Sequence, residues 1–367
     1  MSLPTPVTDY AALFLQDIPL LDVRAPVEFA EGAFPLATNL PLLDDHQRQV
    51  IGTEYKQQGQ DAAVALGYQL ATPEVKQARQ QAWLDYGRQH PDTVLYCFRG
   101  GMRSHISQEW MAEAGLRIPL VKGGYKALRR FLLDTLEQRS QQQPLWCLSG
   151  RTGTGKTDVL LSLPHQLDLE GLAHHRGSTF GYTVKPQPSQ ISFENALAIG
   201  LLKHAHHAPQ HTLVVEDESR LIGRIALPPC WQEAQQRAPL LVLEASVEER
   251  QERVVRDYIL RQYQDYQEVY GGEAPQRFRD YVLGNLDRIR RRLGGARHQA
   301  LRTEWSEALD AFLSHGDYQG FLPGIRELLV NYYDPMYDYQ LSQRQEQIAC
   351  RGEAEQIRAW VAKHQPH

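Results

Sequence analysis

Cysteine is scarce in this 367-residue chain. The four present, Cys97, Cys147, Cys230 and Cys350, lie far apart and form no C-x-x-C pair, which argues against a disulfide framework or a zinc knuckle and fits a reducing compartment. No apolar run approaches the roughly 18–20 residues of a membrane span, and the first 23 residues hold no Lys or Arg to serve as the n-region of a signal peptide. A cytoplasmic location with no membrane partner is therefore expected. Positive charge is not in excess either: 39 Lys and Arg against 44 Asp and Glu leave a net charge of −5, so any nucleic-acid partner must be met by a local patch. What is present, 42% hydrophobic residues with 27 Gly and 21 Pro, excludes a disordered or fibrous chain, and the length suggests two domains or three.

Alternating apolar strands and amphipathic stretches give an α/β fold class. Leu20–Val23, Thr93–Cys97 and Ile118–Val121 read as strands, with helices over Ser104–Ala114 and Tyr125–Arg139, and define an N-terminal, mainly parallel-sheet domain over residues 1–140. Between Asp44 and Pro91 lies a Gln-rich, mostly helical insertion to which no role is assigned. Gln138–Pro144, polar and ending in Pro, reads as a linker. Beyond it, strands at Leu145–Ser149, Thr212–Glu216 and Leu240–Glu244 open a second α/β domain, 145–262, in which Ser246 and Glu249 form a capping box. Residues 263–367 read as an all-helical region packed on that domain.

Three constellations carry chemistry. In the first, Cys97-Phe98-Arg99-Gly100-Gly101-Met102-Arg103-Ser104 follows a strand and precedes a helix. Arg99, Arg103 and the helix N-terminus would stabilise a thiolate on Cys97 and attract an anion, while the two glycines permit a tight loop. In the second, Gly150-Arg151-Thr152-Gly153-Thr154-Gly155-Lys156-Thr157 fits G-x-x-x-x-G-K-[ST] between a strand and a helix. Backbone N–H groups would surround a diphosphate, Lys156 would neutralise it, and Thr157 can reach Mg²⁺. Glu216 and Asp217, at the end of a strand, are the candidate acidic partners of such an ion, and Arg250 and Arg253 share the helix face that could reach a phosphate. In the third, Arg277, Arg279, Arg288, Arg290, Arg291, Arg292 and Arg297 stand against only Asp280 and Asp287, a local basic patch suited to phosphodiesters, with Tyr258, Tyr263, Tyr266, Tyr270 and Tyr281 nearby to stack on bases or to build core. The histidines show no convincing ligand spacing, and whether a metal binds is left open.

Leu21-Asp22-Val23-Arg24 with Glu28-Phe29 and Glu31-Gly32, then Cys97 to Ser104, then Lys122-Gly123-Gly124-Tyr125 resemble a rhodanese domain. That resemblance makes the N-terminal domain rhodanese-like, with Asp22, Arg24 and Glu28 structural and Cys97 a carrier of sulfur or selenium. Six steps from Cys97 to Arg103, one more than in many sulfurtransferases, also resemble the rhodanese-like cell-cycle phosphatases. A rhodanese followed by a P-loop NTPase-like α/β domain, together with Gly177-Ser178-Thr179-Phe180-Gly181, Val215 to Gly223 and Tyr332-Tyr333-Asp334-Pro335-Met336-Tyr337, resembles the tRNA 2-selenouridine synthase family over nearly the whole chain.

The resemblance implies a transferase acting on wobble 2-thiouridine of the tRNAs for lysine, glutamate and glutamine. It implies S-geranylation from geranyl diphosphate, then replacement by selenium from selenophosphate, carried as a selenosulfide on Cys97 with Arg99 and Arg103 steering the anion. No tightly bound cofactor is expected; geranyl diphosphate and selenophosphate are co-substrates, and a monomer is favoured. Two other classes stay open on the residues alone. One is a Cys97 phosphatase or sulfurtransferase fused to a nucleotide kinase, which would turn over without tRNA. The other is a nucleotide-switched RNA-binding protein, which would bind tRNA and form no product.

Overall fold

The computed structural model describes residues 3–366, and the chain divides into two compact units: residues up to Arg139 with Ser189–His207, and Ser140–Pro188 with the remainder from Ala208.

In the first unit, β1 (Leu20–Asp22) lies between β2 (Ala37–Asn39) and β3 (Val94–Tyr96), all parallel. Leu21, Val23 and Leu95 pack with Trp83, Trp110, Met111 and Ile118, burial that supplies most of the favourable free energy of such a layer. The expected strand at Ile118–Val121 is reduced to isolated bridges, Leu120 to Leu95 and Val121 to Val7. The Asp44–Pro91 insertion forms three helices, Asp45–Gln58, Gln60–Leu70 and Pro73–Gln89. Asp44 and Thr72 cap the first and third, as short hydroxyl and carboxylate side chains do at N-termini. Only the third is anchored deeply, through Trp83, whose indole N–H donates to the Leu40 carbonyl at 3.0 Å.

Two expectations about organisation are corrected. The stretch read as a linker is helical: one helix runs Gly124–Gln142, because Gln, Arg and Ser all tolerate helix and only Pro144 ends it. The helix Gln190–His207, placed by sequence inside the second domain, belongs to the first unit. Its Asn195 amide donates to the Ala33 carbonyl at 2.9 Å and accepts from Arg129 at 2.8 Å, Arg129 also pairs with Glu194, and Ser192 accepts the Ala33 N–H at 3.0 Å.

The second unit is built on a parallel five-stranded sheet. Its strands are β4 (Leu145–Gly150), β5 (Gln166–Leu167), β6 (Leu213–Glu216), β9 (Leu240–Leu243) and β10 (Ile348–Gly352), in the order β10-β9-β4-β6-β5; β7 (Leu221–Ile222) and β8 (Ile225–Ala226) form a separate ribbon. Strand β10 corrects the all-helical reading of the C-terminal region: it pairs with β9, and Ile357 and Val361 of the following helix pack on Leu148 and Leu241. Its alternating exposure on an edge leaves too weak an apolar signal for a sequence reading. A second, helical core begins at Val255 and gathers Phe278, Leu309, Phe312, Phe321 and Leu329. Two π-helical turns, Val255–Leu260 and Leu329–Tyr333, border the cavity described next, in keeping with the frequent use of such bulges at functional sites.

Candidate functional site

Strand β4 ends at Gly150 in the middle of the sheet, and the chain turns through Arg151–Gly155 into the helix Lys156–Leu161. Gly153 and Gly155 adopt φ of +82° and +84°, and a Cβ on Gly153 would stand 2.9 Å from the Arg250 carbonyl, so this turn needs glycine. Lys156 Nζ donates to the Gly150 carbonyl at 2.8 Å, arching over the loop, and the Thr154 hydroxyl donates to the Arg151 carbonyl at 2.9 Å. Arg250, 1% exposed, donates to the Thr152 carbonyl at 2.8 Å while Asp334 holds its guanidinium at 2.6 and 2.9 Å. Arg250 therefore fixes the loop and does not reach a phosphate, whereas Arg253 donates to the Thr154 carbonyl at 3.2 Å and faces the open side. Arg151 is drawn outward by a two-oxygen pairing with Asp338 at 2.7 and 2.8 Å.

The loop forms one wall of a cavity of about 670 Å³. Lys156, Arg176, Arg253, Arg256, Arg261 and Arg292 line it together with the carboxyl groups of Asp158, Asp168, Glu170, Asp217, Glu218 and Asp257. Arg256 and Arg261 are held by Asp158 and Asp257, while Lys156 and Arg253 beside the loop, with Arg292, face the open space where an anion would lie. The Gly177–Gly181 and Tyr332–Tyr337 motifs contribute Gly177, Ser178, Thr179, Tyr332, Tyr333, Met336 and Tyr337 to its walls. Beside it, sharing Thr152, Ser178, Val254, Tyr258 and Tyr333, runs a narrow apolar cleft of about 40 Å³ bounded by Phe180, Ile259, Tyr281, Trp305, Ile325 and Leu328.

The acidic partners differ from those expected. Glu216 is fully buried, accepts the Leu169 N–H at 2.9 Å and does not line the cavity; burial, reinforced by Asp168, raises its pKa well above the ordinary range. Asp217 lines the cavity but accepts from Ser149 at 2.6 Å and Arg344 at 2.7 Å. The carboxyls that face Lys156 are Glu218 and Glu170, the latter accepting from the Thr157 hydroxyl at 3.3 Å. Burial raises both pKa values, and Glu170 raises that of Glu218 further while Lys156 opposes the shift. A Cβ on Gly177 would collide with both. Mg²⁺ commonly takes one or two carboxylates beside substrate phosphates; Thr157 with Glu170 and Glu218 fits that donor set, although no cluster of three or more His, Cys, Asp or Glu suited to a metal occurs among the described residues.

In the first unit, Cys97 follows β3 and is 3% exposed. Its N–H donates to Ser104 Oγ at 2.9 Å, its carbonyl accepts the Tyr125 N–H at 2.8 Å, and the loop passes so near Gly124 that a Cβ there would overlap the Cys97 carbonyl. Arg99 is exposed near the Phe98 ring. Arg103 donates to Glu28 at 2.6 and 3.1 Å, so its charge is committed to a carboxylate rather than free to steer an anion. Asp22 and Arg24 form a buried pair at 2.6 Å, Arg24 lying 3.8 Å from the Tyr125 ring centre, which makes them supports of β1. Cys147, by contrast, is a core thiol whose pKa burial pushes up.

The basic segment is not one helix. It breaks at Ile289 and Gly294 into Ala274–Arg288, Arg290–Leu293 and Gly295–His315. Arg277 pairs with Glu273, Arg279 with Asp310 and Arg297 with Glu327, and Arg288 donates to Asn285. Arg290, Arg291 and Arg292 form no ion pair among the described residues, and Arg292 turns into the cavity. Sequence reasoning missed Glu170, Arg176, Glu218, Arg256 and Arg261. None of these had a local signal: residues two apart share a face of a strand, so alternation would have placed Glu218 with Glu216, and β6 ends at Glu216.

Comparison with known proteins agrees with this layout. Residues 143–367 match the family model for the tRNA 2-selenouridine synthase AAA domain. The chain is 51% identical to the tRNA 2-selenouridine synthase of Marinobacter nauticus, covering 96% of each chain, and 48% identical to that of Shewanella woodyi, covering 97% of each. It is 47% identical to that of Shewanella frigidimarina, covering 99% of this chain and all of that one. This chain belongs to the tRNA 2-selenouridine synthase family, and is a tRNA-modifying enzyme.

Proposed function

We propose that the enzyme converts wobble 2-thiouridine to 2-selenouridine in two steps, geranylation of sulfur in the second unit and selenium transfer at Cys97 in the first. The observation that carries the reading is a polar cavity, walled on one side by the Gly150–Thr157 loop with Lys156, that adjoins an apolar cleft: a prenyl diphosphate has a head for the loop and a tail for the cleft. The cleft is narrow as it stands, so the chain would enter by displacing ring side chains.

A thiocarbonyl sulfur leaves poorly until alkylation makes it a thioether. The sulfur attacks the first carbon of geranyl diphosphate, the C–O bond breaks, and the departing diphosphate takes the charge. Lys156 and the loop N–H groups stabilise that charge where it develops. Mg²⁺ held at Thr157, Glu170 and Glu218 would neutralise the same leaving group. The tRNAs for lysine, glutamate and glutamine remain the acceptors implied by the family resemblance.

Electron count constrains the selenium step. Selenophosphate already carries selenium at the selenide level, so a Cys97 selenosulfide would need an oxidant. A Cys97 thiolate attacking phosphorus instead releases selenide, which displaces geranylthiol at the base carbon, and water then clears the phosphoryl group from sulfur. Six backbone N–H groups, Phe98 to Arg103, point to no backbone partner among the described residues and supply an anion nest for that phosphoryl group. The rhodanese-like character of this unit and the loop length read from sequence support the same assignment.

The test is mass spectrometry of tRNA nucleosides after incubation with geranyl diphosphate and selenophosphate. Wild type should yield 2-selenouridine, and Cys97→Ser should accumulate S-geranyl-2-thiouridine. Formation of 2-selenouridine by Cys97→Ser at the wild-type rate would remove Cys97 from the reaction.

A further inference from the structure

A second opening in the same unit has no part in the chemistry above. It is a groove of about 380 Å³ along one face of the helix Ala274–Arg288, to which Arg277, Asp280, Tyr281, Gly284, Asn285 and Arg288 contribute at helical spacing, and whose far side is closed by Tyr182, Tyr266 and Tyr270. We propose that this groove binds one unstacked nucleobase of the tRNA, laid over Gly284 beside the Arg288–Tyr182 and Arg277–Tyr270 pairs. The proposal rests on the reading that tRNA is the substrate and adds where one of its nucleotides docks.

Four observations point to that occupant. Arg288 lies 4.6 Å from the Tyr182 ring centre and Arg277 4.5 Å from that of Tyr270, so two guanidinium planes already rest on aromatic faces, the arrangement that receives bases in single-stranded RNA. Gly284 sits inside a helix, where glycine costs about 1 kcal/mol relative to alanine, yet a Cβ built on it meets nothing within 4 Å. The absence of a side chain therefore leaves a bare floor and relieves no clash. Asn285, 2% exposed, accepts from Arg288 at 2.7 Å while its amide Nδ2 has no partner, a buried donor of the kind that is normally satisfied and that can meet a base carbonyl. Asp280, which accepts from Gln276 at 2.9 Å, adds a carboxylate that disfavours a phosphate in the groove itself and can accept an N–H from a base edge.

The floor supplies a test that should not unfold the protein. Gly284→Leu fills the groove and improves helix propensity, so its melting temperature should not fall. Its affinity for unmodified tRNA should drop about tenfold or more, the worth of one stacked base. The slope of log Kd against log salt should stay at the wild-type value, because every cation that meets a phosphate is still in place. Tyr182→Ala and Tyr270→Ala should weaken binding similarly, with Tyr→Phe at each position restoring it, and inorganic diphosphate should bind all variants as it binds wild type. If wild type binds tRNA and Gly284→Leu and the Tyr→Ala variants bind it equally well, the groove is not a base site and the substrate reading stands. If wild type itself fails to bind tRNA, the substrate reading and the groove fall together.

Discussion

Glu216 and Glu218 are two residues apart and do opposite work. The first ends β6 inside the unit, its pKa raised by burial and by Asp168; the second emerges beside Lys156. The sequence pointed to Glu216 and Asp217 and not to Glu218, because the way the chain turns after the strand depends on Asp168 and Glu170 arriving from a distant segment. His175 shows how far the tertiary setting moves a side chain. Burial first, and then the Arg288 charge, lower its pKa from the usual 6.5 to about 4. The unfolded chain thus binds a proton that the folded chain refuses between those two values, so stability rises with pH across that window and is lost as pH falls from about 6.5 toward 4. His175→Phe should flatten the dependence of unfolding free energy on pH in urea titrations over that range. An unchanged pH slope in the variant would show that His175 titrates freely in the folded protein.

At the scale of elements, what the sequence showed best were the glycine-bearing turns at strand ends, where local geometry and local chemistry coincide. The Gly150–Thr157 loop sits between β4 and its helix as its spacing requires, and the Ser246–Glu249 capping box forms as read. Elements whose state is decided by neighbours were less legible: the helix through Gln142, the edge strand β10, and the helix Gln190–His207, which its polar contacts carry into the first unit. The arginine-rich stretch is the clearest case, since the sequence counts its charges and the structure commits most of them to partners. Arg290 and Arg291, exposed on the short helix Arg290–Leu293 and without such partners, should meet tRNA phosphates. Replacing both with Gln should weaken tRNA binding and lower the salt slope by up to about 0.7–0.9 for each phosphate no longer neutralised, leaving geranyl diphosphate binding intact. An unchanged salt slope in a folded variant would make this helix a solvated face.

For the molecule as a whole, family membership was legible because motifs from both units occur in one order along the chain. The composition of the cavity was not, since it draws on residues from Ser149 to Gln340 whose convergence is a property of the fold. No helix among the described residues is long and apolar enough to cross a membrane. On the proposed function the two units divide one reaction, Lys156 serving the diphosphate and Cys97 serving selenium. Lys156→Ala should lose geranylation by about 10²–10³-fold, the usual worth of a positioned donor. The decisive measurement is the rate at which this variant makes 2-selenouridine when given pre-geranylated tRNA and selenophosphate. A rate near that of wild type is predicted, whereas failure of a folded Lys156→Ala protein to selenate that substrate would show that the loop serves both steps and would contradict the division.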